Sequence, residues 1–242
     1  MILLLTGCID PNGMALTKLN DKEEREKQYC NAIHYYLHNT KFPIVFTENS
    51  GTDISPLFRD AIESGRLESL SFVGNKDKIR GKGYGECEII EYALNNSKFI
   101  QTTQDKRIIK ITGRLIVRNI KKIVRLHYLL FPMNSIFCAI NSDLSFPDSR
   151  LIIAQSDFYR LFLQSKEMIN DSAGYYFEHV LCDTIKKEKQ FPYAPFFIIP
   201  RIEGVSGSTG KQYNSESEDI SFTYRYIRRS LSQLIEFKAK YR

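Results

Sequence analysis

Several patterns are missing from this sequence of 242 residues. It contains no tryptophan, and none of its five cysteines forms a CxxC pair. Cys8, Cys87 and Cys138 lie within or beside apolar runs, as buried thiols do in a reducing compartment. The cysteines therefore predict neither a disulfide framework nor a zinc site.

Long apolar runs are also missing. Leu5-Thr-Gly-Cys8 resembles a lipoprotein processing site, but no basic residue precedes it. The apolar run of residues 2–5 is much shorter than the ~7–15 residues of a signal-peptide core. No segment approaches the ~18 apolar residues of a membrane span. We therefore expect residues 1–6 to form a buried strand and the protein to be cytoplasmic.

The standard nucleotide and metal signatures do not occur either. The glycines of residues 81–86 are spaced GxGxG, which is neither a Walker motif nor a Rossmann fingerprint, and the chain has no DxD sequence. What is present is an ordinary globular composition, with 43% hydrophobic and 26% charged residues. The length suits one large α/β domain better than two small ones.

Strand-like and helix-like segments alternate along the first half of the chain. Strands are predicted at residues 1–6, 43–47, 70–73, 99–102 and 108–112, and helical segments at 22–38, 54–64 and 86–95. This alternation predicts a mostly parallel sheet with helices on both faces. Loops that begin at Gly7, Glu48, Gly74 and Gly113 follow strands, so they are expected to meet in one crevice at the carboxyl ends of the strands.

The second half is less regular. Strands are predicted at residues 126–131, 135–141, 151–154 and 196–200, helices at 156–165 and 175–187, and a mobile loop at 204–217. Residues 223–241 form an amphipathic helix whose apolar face would comprise Tyr224, Ile227, Leu231, Leu234 and Ile235. We divide the chain into a domain of residues 1–221 and a C-terminal helix of residues 222–242, which is either part of that domain or peripheral to a membrane.

The C-terminal segment carries most of the net charge. Residues 222–242 hold six basic residues and one acidic residue, which is +5 of the net charge of +6. Such a helix can lie on an anionic membrane, or it can pack on the domain with its basic side in water. Nucleic acid is not an expected partner, because the charge is confined to the tail and no base-stacking motif is evident.

Two basic motifs predict an anion-binding crevice. Gly81-Lys-Gly-Tyr-Gly-Glu86 opens a helix, where backbone N–H groups and the helix dipole favour a phosphate, although a plain exposed turn is the alternative. In Lys110-Ile-Thr-Gly-Arg114 the cations would share one strand face and bind either a ligand phosphate or a carboxylate of Glu86 or Asp105. The predicted nucleotide-binding residues are Gly7, Asp10, Lys82, Gly83, Gly85, Glu86, Lys110, Thr112, Gly113 and Arg114.

Candidate catalytic residues follow in the second half. Glu178 and His179 lie near a helix start after a turn, where a carboxylate can accept a proton, although a solvated Glu beside a satisfied His is equally compatible. The expected acceptor and lid residues are Asp148, Arg150, Ser206, Ser208 and Lys211. No metal is predicted with certainty; if Mn²⁺ or Mg²⁺ is used, Asp143 or Asp148 would hold it, but Asp148 can equally pair with Arg150.

The order of these motifs resembles small bacterial glycosyltransferases of capsule or O-antigen synthesis. The matching segments, which span residues 1 to about 213, are Lys82-Gly-Tyr-Gly-Glu86, Lys110-Ile-Thr-Gly-Arg114 with Asn119, Asp148-Ser-Arg150, Tyr176-Phe-Glu178-His179 and Gly204-Val-Ser-Gly-Ser-Thr-Gly210. The resemblance implies a single GT-A-like domain that transfers a sugar from a nucleotide-sugar donor to a lipid-linked or oligosaccharide acceptor. It also implies that Glu178 is the base of an inverting reaction.

The resemblance places Lys110–Arg114 near the position of the DxD metal motif of GT-A enzymes. Cations of the protein would then neutralise the leaving diphosphate in place of a metal. Two alternatives stay open at this stage. One is a nucleotidyltransferase, although the turn after the first strand, residues 7–13, has no Lys or Arg. The other is a non-catalytic scaffold at a membrane surface.

Overall fold

A computed structural model describes residues 1–12, 19–207, 209–213 and 220–241. The strands in this part of the chain are β1 (Ile2–Gly7), β2 (Ile44–Glu48), β3 (Leu67–Ser71), β4 (Arg107–Thr112), β5 (Ile116–Val117), β6 (Ile136–Phe137), β7 (Leu151–Gln155), β8 (Tyr193–Ala194), β9 (Ile202–Val205) and β10 (Gln212–Tyr213). The α-helices are α1 (Lys22–Asn39), α2 (Arg59–Glu63), α3 (Lys82–Asn96), α4 (Lys98–Thr102), α5 (Ile120–Leu130), α6 (Ser156–Leu163), α7 (Phe177–Lys187) and α8 (Ile220–Tyr241).

The central sheet has seven strands in the order β3-β2-β1-β4-β7-β6-β8. Neighbouring strands from β3 to β4 are parallel, β7 is antiparallel to both of its neighbours, and β6 pairs in parallel with β8. A smaller antiparallel sheet joins β10, β9 and β5. The predicted mixed α/β architecture with a mostly parallel sheet is confirmed.

Helices cover both faces of this sheet. In β1, Ile2 and Leu4 belong to one buried cluster, which includes residues of α3, α6 and α7. Leu3 and Leu5 belong to the other, which includes residues of α1 and α5. Successive side chains of a strand point to opposite faces, so a central strand that is apolar on both faces requires a layer of helices on each side. Among the described residues, no helix is long and apolar enough to cross a membrane.

Three strand predictions are wrong. Residues 99–102 lie in the short helix α4, whose N-cap Ser97 accepts a hydrogen bond from the Ile100 N–H at 3.1 Å. Residues 126–131 belong mainly to α5. The buried residues of that helix, Ile120, Ile123, Val124 and His127, have helical spacing, but only the last of them lies within residues 126–131. Residues 196–200 contain no strand.

The loop predicted at residues 204–217 is partly regular. Strands β9 and β10 form a hairpin, in which Gln212 is paired with Val205 and Tyr213 with Gly204. Residues 208 and 214–217 lie outside the described part of the chain. Among the described residues that predicted a loop, Ser206, Gly207 and Gly210 lie between the two short strands of this hairpin.

The C-terminal helix α8 is present, and it docks mainly through a side other than its predicted apolar face. Its buried side chains are Ser230, Gln233, Leu234 and Phe237, of which only Leu234 belongs to the apolar face. The Ser230 Oγ donates to the Phe196 carbonyl at 2.9 Å, and the Gln233 Nε2 donates to the Ile140 carbonyl at 3.0 Å. The helix is thus anchored by a mixed polar and apolar strip, and its most apolar row faces outward.

Candidate functional site

A cleft lies beside the carboxyl ends of β1 and β4. Its larger chamber, of about 710 Å³, is lined by residues from the start of α3, the turn after β4, the start of α7 and the β9–β10 hairpin. Predicted site residues that line this chamber are Lys82, Gly83, Glu86, Thr112, Arg114, Arg150, Glu178 and Ser206. The structure therefore brings together residues that are far apart in sequence, as the geometry of parallel strand ends requires.

A smaller chamber of about 110 Å³ continues from the larger one, with which it shares the Lys82 and Arg114 side chains. Two amide side chains that the sequence analysis missed, Asn49 and Asn75, line it. The Asn49 Nδ2 donates to the Asn75 Oδ1 at 2.9 Å, and the Asn49 Oδ1 is a buried acceptor with no protein partner. Because that oxygen is closed to solvent, the two amides shape the wall of the chamber. Asn49 directly follows β2, and that position was the signal that could have identified it.

The residues of the first turn occupy different places. Gly7 lines the smaller chamber. Asp10 does not line either chamber; its Oδ1 accepts a hydrogen bond from the Asn12 N–H at 3.0 Å. The Gly113 N–H donates to the Thr6 carbonyl at 2.8 Å, which holds the turn after β4 against β1. Gly113 thus shapes the rim of the cleft through its backbone.

Lys110 is buried beneath the cleft. Its Nζ lies 2.5 Å from the Glu86 Oε1 and donates to the Ser149 carbonyl at 2.7 Å. The Thr6 hydroxyl also donates to the Glu86 Oε1, at 2.7 Å. The structure thus has the carboxylate partner that was the alternative to a phosphate. Lys110 supports Glu86 and the Ser149 segment from below.

The glycine-rich turn at the start of α3 accommodates a carboxylate of the protein. Gly81 has a φ of +87°, and a Cβ there would lie 2.5 Å from Asp171. The Gly83 N–H donates to the Asp171 Oδ2 at 3.0 Å, so this end of the helix already holds an anion. A Cβ on Gly85 would lie 2.3 Å from the Asn75 Oδ1. These glycines therefore make room for Asp171 and Asn75, and contact with a bound phosphate falls to the Lys82 side chain.

Lys82 and Asp171 face the same chamber. Burial lowers the pKa of Lys82, and the nearby Asp171 carboxylate opposes that effect. Asp171 is itself buried, and its Oδ1 has no protein partner. No pattern in the sequence singled out Asp171, although it lies in the turn that precedes Glu178.

Arg114 connects the cleft to the hairpin of the second sheet. Its Nε donates to the Val205 carbonyl at 3.0 Å. The guanidinium packs on Gly207, where an added Cβ would lie 2.4 Å from the Arg114 Nη2. Ser206 lines the chamber, whereas Lys211 is exposed and does not. Ser208 lies outside the described residues. Arg114 therefore lies between the ligand space and the segment predicted as a lid.

Arg150 and Asp148 form an internal ion pair with each other. The sequence had offered this pair as the alternative to a metal at Asp148. The Arg150 Nε donates to the Asp148 Oδ1 at 2.9 Å, and its Nη2 donates to the Asp148 Oδ2 at 2.5 Å. The guanidinium also lies 4.6 Å from the centre of the Tyr213 ring. Arg150 thus faces the larger chamber as a cation whose position is fixed from two sides.

The carboxylates considered for a metal are engaged elsewhere. Asp148 is paired with Arg150, and the Asp143 Oδ1 accepts from the Ser145 Oγ at 2.5 Å and from its N–H at 2.9 Å. Within the described residues, no three His, Cys, Asp or Glu side chains are arranged to hold a metal ion. The donor set for a resident Mg²⁺ or Mn²⁺ at Asp143 or Asp148 is therefore incomplete. Use of a metal that arrives with a diphosphate substrate stays a prediction.

Glu178 and His179 differ in their surroundings. Glu178 lies in the first turn of α7 and lines the chamber, and its Oε1 accepts from the Ser149 Oγ at 2.6 Å. The His179 Nδ1 instead accepts from the Tyr176 N–H at 3.0 Å, and its ring stacks on Tyr175. His179 does not line the chamber, so its observed contacts fix the start of α7. Of the two predicted catalytic residues, Glu178 alone faces the ligand space.

Comparison with known proteins assigns no family. No protein-family model matches the chain, and no curated protein matches it. Among solved structures, the chain is similar to the crystal structure of mouse xyloside xylosyltransferase 1 in its apo form, with 11% sequence identity, coverage of 76% of this chain and 80% of that chain, and a TM-score of 0.40. A likeness this distant carries no conclusion about activity, so function is inferred from the chemistry of the cleft.

Proposed function

We propose that this protein is a glycosyltransferase that moves a sugar from a nucleotide-sugar donor to an acceptor hydroxyl. The supporting observation is one continuous cleft in which Lys82 and Arg114 lie between the smaller chamber, with its two amide side chains, and the Glu178 carboxylate. The smaller chamber offers amide groups to part of a nucleoside, the two cations suit a diphosphate, and the larger chamber has room for the rest of the donor and the acceptor.

The proposed reaction uses Glu178 as the general base. The acceptor oxygen attacks the anomeric carbon of the donor sugar while the bond from that carbon to the diphosphate oxygen breaks. Glu178 takes the acceptor proton, and Lys82 and Arg114 stabilise the negative charge that develops on the diphosphate. The hydrogen bond from the Ser149 Oγ orients the Glu178 carboxylate. A direct displacement of this kind inverts the configuration of the sugar.

The substrate classes follow from the resemblance noted in the sequence. We propose a surface-polysaccharide acceptor of the capsule or O-antigen kind, in lipid-linked or oligosaccharide form. The ordered motifs that carry this proposal lie at the cleft, since Lys82, Arg114, Arg150 and Glu178 all line it. The donor sugar is not specified by any of these contacts.

The test compares binding with turnover in three purified variants. Glu178→Gln is expected to keep donor binding and to lower the transfer rate by about 10²–10⁴-fold, the usual contribution of a positioned base. Arg114→Ala is expected to weaken binding of the nucleoside diphosphate about tenfold or more, because it removes a charged hydrogen-bond donor. Glu23→Gln, at an exposed position in the first turn of α1, is the matched control.

Isothermal titration with the nucleotide and a radiolabelled-sugar transfer assay give the two readouts. If Glu178→Gln and Arg114→Ala both transfer sugar at the wild-type rate, the proposed mechanism is wrong.

A further inference from the structure

The outward side of α8 carries a row of apolar side chains that nothing in the described fold covers. Tyr224, Ile227, Leu231 and Ile235 are 67%, 37%, 47% and 69% exposed. Their spacing of three and four residues places them on one side of the helix. The buried strip that includes Ser230, Gln233 and Phe237 lies on the other side. Because the helix is already docked through that strip, the exposed row is not needed to hold it in place.

Basic side chains accompany this row. Arg225, Arg228 and Lys238 are exposed, and Arg228 and Lys238 fall beside the apolar residues at 100° per residue. The segment of residues 222–242 contains six basic residues and a single acid, Glu236. Glu236 is itself paired with Lys240 at 2.6 Å. An apolar row with cations along it matches an anionic bilayer, which offers both acyl chains and negatively charged headgroups.

We infer that α8 lies on an anionic membrane surface through Tyr224, Ile227, Leu231 and Ile235. The helix stays attached to the domain through its buried strip while the outward row enters the interface. The partner that fits this surface is a bilayer rich in anionic lipid. A second copy of the chain would bring the same positive charges against this row. Their repulsion disfavours direct self-association through it.

A groove links this helix to the cleft. It has a volume of about 620 Å³ and runs beside Asp148 and Ser149 between Arg229 of α8 and Glu178. Arg150 and Glu178 line both the groove and the larger chamber. A glycan that lies in this groove would pass the Arg229 cation on its way to Glu178. This second part of the inference rests on the proposed function and names its acceptor as lipid-linked.

Membrane binding is tested by sedimentation with vesicles of phosphatidylcholine alone and with added phosphatidylglycerol. The wild type is expected to bind only the anionic vesicles, and less tightly as salt rises. Arg225→Ala with Arg228→Ala is expected to lower the partition coefficient about 25-fold, at roughly fivefold per cation. Leu231→Asp tests the apolar row. The matched controls are Lys121→Ala with Lys122→Ala on exposed positions of α5, and Leu57→Asp at a site that is 58% exposed.

Three results would overturn the membrane inference. The first is equal sedimentation of the wild type with both kinds of vesicle. The second is a loss of binding in the controls as large as in the α8 variants. Light scattering after size exclusion provides the remaining outcome: a dimer that Leu231→Asp dissolves, without vesicle binding, would assign the row to a second copy of the chain and also overturn the inference.

Acceptor delivery is tested with one acceptor glycan in two forms, lipid-linked in anionic vesicles and free in solution. The Arg225→Ala, Arg228→Ala variant is expected to lose about tenfold or more of the rate with the lipid-linked form, as its partitioning falls, and to keep its rate with the free form. Equal losses with both forms would overturn the delivery role. If the wild type transfers sugar to neither form, the proposed function fails, while the vesicle experiment still decides whether α8 binds membranes.

Discussion

At the scale of single residues, Lys110 is a buried charge with several partners. The side chain is 0% exposed, and its ammonium contacts Glu86, the Ser149 carbonyl and the face of the Phe177 ring. A buried ammonium is tolerated only when its charge and its donors are matched, since water no longer solvates it. Lys110 therefore couples β4 to the start of α3 and to the segment that orients Glu178.

Removing one partner of this pair tests that role. Lys110→Met is expected to lower the free energy of unfolding by about 3 kcal/mol, because it leaves Glu86, whose side chain is only 23% exposed, without its cation. Adding Glu86→Gln should restore part of the loss. Lys106→Met is the control, since the Lys106–Asp157 pair is 60% and 49% exposed and is worth at most about 1 kcal/mol. Urea unfolding measures all three. An effect of Lys110→Met no larger than that of Lys106→Met would contradict the assignment.

His127 is the second residue with a testable charge state. It lies in α5, not on the strand predicted for residues 126–131, and both ring nitrogens have partners. The Nε2 accepts from the Phe197 N–H at 3.0 Å, so the Nδ1 carries the proton and donates to the Ile123 carbonyl at 2.7 Å. Burial lowers the pKa of His127, so the folded protein holds this ring neutral.

A lowered folded pKa makes the protein less stable in acid. Above about pH 6.5 the ring is neutral in both folded and unfolded chains, and its contribution is fully present. As the pH falls below that value, the unfolded chain binds a proton that the fold resists, which costs up to about 1.4 kcal/mol per pH unit until the folded pKa is reached. We expect His127→Gln to reduce the loss of stability between pH 7.5 and 5.5, measured by urea unfolding at each pH. His38→Gln, at an exposed site, is the control; a slope unaffected by His127→Gln would refute the argument.

At the scale of secondary-structure elements, prediction from sequence succeeded where one periodicity dominated a whole element. The apolar run of β1 and the helical spacing of α1 are such cases. Prediction failed where a short apolar segment was considered without the residues that flank it. Residues 126–131 contain leucines and aromatics that suit a strand, but their partners at helical spacing, Ile120 and Ile123, lie outside that segment. For α8, spacing identified the helix but not its packed side, because Ser230 and Gln233 are polar and dock through hydrogen bonds.

The hairpin of β9 and β10 gives a prediction at this scale. Gly207 leaves space for the Arg114 guanidinium, whose Nη2 would lie 2.4 Å from a Cβ at that position. Because the obstructed atom is the end of a flexible side chain, Gly207→Ala should move the guanidinium without unfolding the hairpin. We expect binding of a nucleoside diphosphate to weaken about tenfold, the value of one charged hydrogen bond. Gln212→Ala, on an exposed position of β10, is the control in the same titration. Unchanged affinity in Gly207→Ala would remove Arg114 from the proposed phosphate site.

At the scale of the whole molecule, the location of the cleft was predictable and its inner contacts were not. Parallel strands bring the loops after β1, β2 and β4 to one edge whatever the side chains are, so the convergence follows from topology. The contact between Gly83 and Asp171 joins residues 88 positions apart, and nothing in either local sequence specifies it. The sequence therefore predicted a phosphate at the glycine-rich turn. The Asp171 carboxylate occupies that place only once the chain has folded.

The nucleotide preference of the intact protein is the last prediction. Asn49 and Asn75 line the smaller chamber, and the cations at Lys82 and Arg114 follow it toward the larger chamber. A nucleoside diphosphate that these groups hold should bind the fold and not the unfolded chain. At 100 times Kd it should add about 2.7 kcal/mol of stability and raise the Tm by about 5–11 °C for a chain of this size.

Thermal unfolding with UDP, GDP, CMP and dTDP, each with and without Mn²⁺, measures this effect. We expect one nucleotide to stabilise the protein selectively, and the double variant Lys82→Ala, Arg114→Ala to lose that stabilisation. A shift without Mn²⁺ would mean that the protein's own cations suffice for the diphosphate. A shift only with Mn²⁺ would mean that a metal enters with the substrate and completes a donor set that the described residues lack. If no nucleotide shifts the transition, the cleft does not bind an activated sugar, and the non-catalytic membrane-surface protein becomes the better account of the same fold.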